Sequence, residues 1–206
     1  MRSLPDTARL VIVREGVRCG EPDRGLVRLR AAREQTKSRI AGVVVASGER
    51  LQRWLDPLDY RIDVYPKDAE FHVYRKTWEI KKRGPAVAFV LDGFCPPGYL
   101  RTEEPYPSVW LATKSLENYK MKDAERRAFA GELRRELGAV AADWDDDACD
   151  DESAPLVQYL TDYDGRRRCE LIFNSDNLYT FAVEALSRAL GISEAVDHCV
   201  GRVLSR

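Results

Sequence analysis

The residues with the widest chemical reach fall into three groups. Asp63 lies in a segment that alternates Tyr60, Ile62 and Val64 with Arg61, Asp63 and Tyr65. Sixteen residues downstream, Glu79-Ile-Lys81 places a carboxylate and an amine at i and i+2. That period puts both on one face of a strand. Cys95 stands in Gly93-Phe-Cys-Pro-Pro-Gly-Tyr99, just past an apolar run, where site residues often lie. Arginine and lysine cluster at Arg24, Arg28, Arg30, Arg33, Lys37 and Arg39, at Lys81-Lys82-Arg83, and at Arg166-Arg167-Arg168. The chain has two histidines, His72 and His198. A histidine-based triad or metal site must therefore pass through one of them. Asp197, His198 and Cys199 are consecutive in an expected helix, so they point about 100° apart and do not form one site.

Asp63 with Glu79-Ile-Lys81 resembles the core of metal-dependent nucleases of the PD-(D/E)xK kind, with Ile62 where the pattern has proline and Pro57-Leu-Asp59 a few residues earlier. The resemblance implies that Asp63 and Glu79 hold Mg²⁺ while Lys81 assists the attacking water and stabilises charge. The plainer alternative is a solvent-facing strand laced by salt bridges. Phe94-Cys-Pro-Pro-Gly-Tyr99 followed by Pro105-Tyr-Pro107 resembles the proline-rich strand and loop of ubiquitin-conjugating folds. It implies a thiol nucleophile at Cys95, for which His72 is the candidate base. The alternative is a packed cysteine in a rigid turn.

Other chemistries are excluded by pattern. The chain lacks G-x-x-x-x-G-K-[ST], G-x-G-x-x-G, H-E-x-x-H and G-x-S-x-G. Asp143, Asp145 and Asp147 begin like a calcium loop, but Ala148 stands where a sharp turn wants glycine and Ala154 where the bidentate glutamate belongs. No metal or other cofactor is expected, Mg²⁺ entering only with the nuclease reading.

Charge is sorted along the chain. Residues 1–140 hold 27 Lys and Arg against 20 Asp and Glu, and residues 141–206 hold 6 against 14. The net charge of −1 thus conceals a basic part followed by an acidic one. A basic face would concentrate anionic partners. Arg28, Arg30, Lys81, Lys82, Arg83 and Arg166 to Arg168 are its candidate residues for nucleic acid, with Tyr60, Tyr65, Tyr74 and Trp78 interleaved. The five cysteines are scattered, with no zinc-knuckle spacing, which suits free thiols in a reducing cytoplasm. No apolar run approaches the ~18 residues that cross a bilayer, and the first residues do not read as a secretory signal. The arginine-heavy composition is compatible with a GC-rich bacterial genome.

These residues need a scaffold. The pattern predicts one α+β domain with a central mixed β-sheet and a C-terminal β-hairpin plus helices. Residues 1–140 form the core, 141–154 an acidic linker, and 155–206 a hairpin–helix tail packed on the core. Strands are expected at Leu10–Val13, Ala41–Ala46, 60–65, 71–78, Ala86–Leu91 and Val109–Ala112. Asp23–Ile40 suits a helix or a strand, and Glu49–Leu55 a short helix closed by Asp56-Pro57. Lys122–Leu137 reads as a helix with an apolar stripe, stopped by Gly138. Leu156–Leu160 and Cys169–Phe173 read as a hairpin turning at Asp164-Gly165, which would lift Arg166–Arg168 to its tip. Asn174 caps a helix to Leu190, and Ser193 opens a last one. A binding or regulatory protein that engages a macromolecular partner, a protein first and nucleic acid second, fits this pattern. The metal-dependent nuclease and the thiol enzyme are the alternatives, and no membrane partner is expected.

Overall fold

A computed structural model describes residues 24–80, 84–94, 107–113, 122–138, 144, 154–160 and 165–204; for 24–26, 80, 165, 168, 203 and 204 it describes the backbone. The expected strand at Leu10–Val13 and the acidic run apart from Trp144 lie outside these residues. The chain divides into two units, Met1–Thr36 and Lys37–Arg206.

In the first unit the described part is helical. Residues 27–36 are exposed, Val27 and Leu29 among them, and Thr36 Oγ1 donates back to the Ala32 carbonyl at 2.9 Å. The helix α1 runs Arg24–Leu55, which settles the ambiguity of the 23–40 stretch. It also corrects the strand expected at Ala41–Ala46. Val44 is buried, Val43 half-buried and Val45 exposed, a rotation of about 100° per residue rather than an alternation. Ile40, Val44, Ser47, Leu51 and Leu55 form the buried stripe of the second unit's part of α1. The helix ends at Leu55, where Asp56-Pro57-Leu58 tightens into a 3₁₀ turn.

Among the described residues seven strands follow: β1 Tyr60–Tyr65, β2 Glu70–Arg75, β3 Glu79–Ile80, β4 Gly84–Pro85, β5 Ala88–Asp92, β6 Ser108–Ala112 and β7 Leu156–Tyr159. Five of them form one sheet in the order β1-β2-β5-β6-β7, and β3 pairs with β4 separately. Each of these pairings is antiparallel, where a mixed sheet was expected. Sheet order follows chain order once β3 and β4 are set aside, and β6 and β7 pair antiparallel although the helix Asp123–Leu137 lies between them in sequence. The turn from β1 to β2 is closed by Asp68 N–H donating to the Tyr65 carbonyl at 3.2 Å, with Ala69 at φ 57°.

The remaining helices are α2 Asp123–Leu137, α3 Gly165–Ile172, α4 Ser175–Leu190 and α5 Ser193–Leu204. The hairpin expected at 156–173 is half right. Leu156–Tyr159 is a strand of the main sheet, but Cys169–Phe173 closes the helix α3, with Leu171 and Ile172 buried and Arg166 paired to Glu170 one turn away at 3.1 Å. Asn174 caps α4 as expected, its Oδ1 accepting from Asp176 N–H at 2.9 Å and Asn177 N–H at 3.2 Å. Such a cap contributes about 1 kcal/mol.

Register defines the two faces of the sheet, since paired residues in antiparallel strands share a face. Ile62, Val73, Phe89 and Val109 belong to the apolar side. Phe71 stacks on Phe94 there, and Trp78 meets Phe89 edge-on. Helix α4 packs on β5 and β6, while α1 reaches it through Ser47, whose Oγ lies 3.1 Å from the Ser175 carbonyl. Arg50 of α1 pairs with Asp176 and lies over the Tyr179 ring at 4.1 Å. Helix α2 packs on α5, where Arg202 bridges Glu132 at 2.9 Å and Glu136. The Arg202 hydrogen bond holds Glu136 below the usual carboxylate range.

Candidate functional site

The opposite face of the sheet is mixed, with buried Ala88, Val90 and Val157 toward β5–β7 and a polar, aromatic part on β1 and β2. Arg61, Asp63 and Tyr65 of β1 share it with Glu70, His72 and Tyr74 of β2, and it continues through Asp92 of β5 to Ser108 and Trp110 of β6. Side chains at i and i+2 of each strand repeat on this side, so the alternation of the sequence is what assembles the face.

Three clusters stand on it. In the first, the Tyr74 hydroxyl donates to Asp63 Oδ1 at 3.4 Å, and Arg61 bridges to Glu79 at 3.2 Å. Burial, then the charges of Asp63 and Glu79, push the Tyr74 phenol up to about 12, so it remains a neutral donor. In the second, His72 Nε2 lies 3.1 Å from Glu70 Oε2, and the His72 and Tyr65 rings meet with centroids 4.4 Å apart at 45°. Burial first, then Asp63 and Glu70, raise the Tyr65 phenol. In the third, Asp92 accepts from Ser108 Oγ at 2.8 Å and from Trp110 Nε1 at 2.9 Å. Its two oxygens are thereby committed within the face.

Asp63 and Glu79, expected as a pair, each have their own partner, and both raise the Tyr74 phenol through their charge. Glu79 is engaged with Arg61, and Asp63 with Tyr74. Lys81 lies outside the described residues, as do Lys82, Arg83 and Cys95. Among the described residues, no three His, Cys, Asp or Glu side chains gather as a metal-binding group. His72, the base proposed for Cys95, is occupied by Glu70 and Tyr65.

The basic candidates separate by element. Arg28 and Arg30 are exposed on α1 in the first unit. Arg166 and Arg167 are exposed in the first turn of α3, not at a hairpin tip, and Arg166 turns back to Glu170. Arg168 follows them in the same helix. Of the aromatic residues read as interleaved with basic ones, Tyr60 and Trp78 are core residues, packed edge to face with centroids 6.4 Å apart. Tyr65 and Tyr74 lie on the opposite side of the sheet, Tyr65 exposed and Tyr74 buried. Among the described residues, no helix is long and apolar enough to cross a membrane.

The residues 197–199 diverge, as the helix geometry requires. Asp197 reaches Arg75 and Trp78, His198 is exposed, and Cys199 is buried with its thiol 3.5 Å from Glu136. Burial pushes the Cys199 thiol up to about 11, whereas Cys169 is exposed on α3. A folded pKa above the unfolded value stabilises the protein fully below about pH 9, and that contribution disappears as pH rises through about 11. In single-cysteine variants we therefore expect a disulfide reagent at pH 8 to modify Cys169 within minutes and to leave Cys199 at least about 100-fold slower, limited by opening of the fold. Equal rates would contradict the buried placement of Cys199.

Comparison of the chain with protein-family models, with curated proteins and with solved structures finds no match.

Proposed function

We propose that this chain is a non-catalytic binding or regulatory protein, and that it engages a macromolecular partner through the polar face of its sheet. The observation that carries this reading is the outer half of that face, where Asp63, Glu70 and His72 are half-buried and Tyr65 is exposed on two neighbouring strands. Aromatic rings beside charged groups, presented by a rigid antiparallel pair, supply contact area at low entropic cost. A protein is the preferred partner. The described candidate arginines stand on two helices, α1 and α3, and the sheet face, with Arg61, carries more carboxylates than cations, which disfavours phosphate. The composition points to the cytoplasm of a bacterium as the place to look.

A photo-crosslinking residue placed in turn at positions 65, 28 and 166 tests the reading in a host lysate. The expected result is a protein adduct from position 65 that survives nuclease treatment, with positions 28 and 166 silent. Nucleic-acid adducts from 28 or 166 would instead support the basic residues as the working surface. The charge of both Asp63 and Glu79 on the Tyr74 phenol supports one second reading, the Mg²⁺-dependent nuclease. Mg²⁺-dependent cleavage by the purified protein, lost in Glu79→Ala, would replace the binding reading with it.

A further inference from the structure

Resting on that reading, we propose that the partner presents an arginine, and that its guanidinium seats on the Tyr65–His72 ring pair between the carboxylates of Asp63 and Glu70. All four residues belong to the β1–β2 hairpin, and register alone brings them together: Asp63 pairs with His72 and Tyr65 with Glu70. The Tyr65 side is 42% exposed, so a ring face is open to a planar ligand. Glu70 is the cross-strand partner of Tyr65 and Asp63 stands two residues before it on the same face, so a carboxylate neighbours Tyr65 both along and across the strands.

The occupant follows from charge and shape together. Two carboxylates flanking an aromatic surface attract a cation and repel phosphate, carboxylate and nucleic acid. Asp63 is held by a neutral phenol at 3.4 Å, a long contact that leaves acceptor capacity on both of its oxygens. Glu70 shares one oxygen with His72 and keeps the other. A guanidinium matches this arrangement better than an ammonium. It is planar, stacks on aromatic faces, and offers donors in a fixed fork to more than one carboxylate at once. Asp92, with both oxygens already accepting, is not part of the seat.

The test is an NMR titration of the ¹⁵N-labelled full chain with capped nine-residue arginine, lysine and glutamate peptides. The arginine peptide should shift amides of residues 60–75. Stacking and bidentate pairing should make it bind about threefold or more tighter than the lysine peptide. Asp63→Asn combined with Glu70→Gln should weaken it about tenfold, since each lost charge pair at a half-exposed site is worth a few-fold. Both side chains lie at the surface of a hairpin, and the peptide comparison on the unsubstituted protein does not depend on the variant folding. Equal affinity for lysine and arginine peptides would overturn the guanidinium seat. Shifts at 60–75 with the glutamate peptide alone would overturn the cationic partner. Concentration-dependent shifts at 60–75 without peptide would identify a second copy of the chain as the occupant, and overturn it too. If the arginine peptide is silent but position 65 still crosslinks to a protein, this inference falls while the binding reading stands; silence in both experiments removes both.

Discussion

Replacing Asp197 by alanine should destabilise the fold by about 2–4 kcal/mol, because it strands one buried donor and unpairs one half-buried cation. Asp197 of α5 accepts from the Trp78 indole N–H and from Arg75. The Arg75 Nε–H in turn donates to the Tyr60 hydroxyl at 2.8 Å, Tyr60 donates to Ser193 Oγ at 2.5 Å, and Ser193 donates to the Leu190 carbonyl. One chain of hydrogen bonds thus ties β1, β2 and the 3₁₀ turn before β3 to α5 and the end of α4. Burial works against the Arg75 charge, but Tyr60 and Asp197 outweigh it and raise the guanidinium pKa. Trp78 is 1% exposed, so without Asp197 its N–H depends on water entering the partly exposed space that the carboxylate leaves. Arg75 is 29% exposed and recovers part of its loss through solvent, which sets the upper bound. Urea unfolding measures the total. Asp197→Asn keeps an acceptor for the indole and should cost about half as much. Trp78→Phe in the Asp197→Ala background should show a coupling of about 1 kcal/mol or more, since the two changes remove the same bond. A loss below about 0.5 kcal/mol for Asp197→Ala would mean that the network is ornamental, like most exposed ion pairs.

That network was not legible in the sequence, and the reason is distance. Tyr60, Arg75, Trp78, Ser193 and Asp197 are drawn from both ends of the described chain, and none carries a local signal of pairing. The polar face lay closer to hand. Two alternating segments flank Pro66-Lys-Asp-Ala69, and a four-residue connection of that kind folds one strand directly back on the other. Counting outward from it pairs Asp63 with His72, which marks the hairpin as the place where a carboxylate, an imidazole and two tyrosines converge. The errors share one cause. Ala41–Ala46 and Cys169–Phe173 are short apolar runs that either period accommodates, and tertiary contact decides between them. At 41–46 the deciding fact is the continuation of the stripe from Ile40 through Val44 and Ser47 to Leu51. At 169–173 it is the burial of Leu171 and Ile172 as α3 packs on α4. Elements with longer patterns, such as α2, α4 and β5, were readable because ten or more residues, or a wholly apolar run, leave one period standing.

The same substitution at two glycines of α1 should act with opposite sign. Both stand in a helix interior, where alanine gains about 1 kcal/mol over glycine from helix propensity. At Gly42 a Cβ would meet nothing within 4 Å. Gly42→Ala should therefore stabilise the protein by about 0.5–1 kcal/mol. At Gly48 a Cβ would stand 2.5 Å from Val64 Cγ2 and 3.3 Å from Cγ1. Valine is branched at Cβ and stiff in its first torsion, so it does not swing aside as a long side chain would. The helix or β1 must move instead, and Gln52, one turn further along α1, already fixes that spacing by accepting from Ile62 N–H at 3.3 Å. Overpacking of this kind costs about 1–3 kcal/mol, enough to cancel or exceed the propensity gain and, with the register at Gln52 disturbed, to leave Gly48→Ala less stable by about 1–2 kcal/mol. Thermal or urea unfolding of the two single variants checks the sign. Val64→Ala supplies the control: it removes both clashing methyls, so Gly48→Ala should turn from harmful to favourable in that background. If Gly48→Ala stabilises the unsubstituted protein as Gly42→Ala does, the close approach of α1 to β1 is wrong. The polar face would then lose its support, because Val64 sits between Asp63 and Tyr65, and the contact of Val64 with α1 is what turns those two side chains to the opposite side of the sheet.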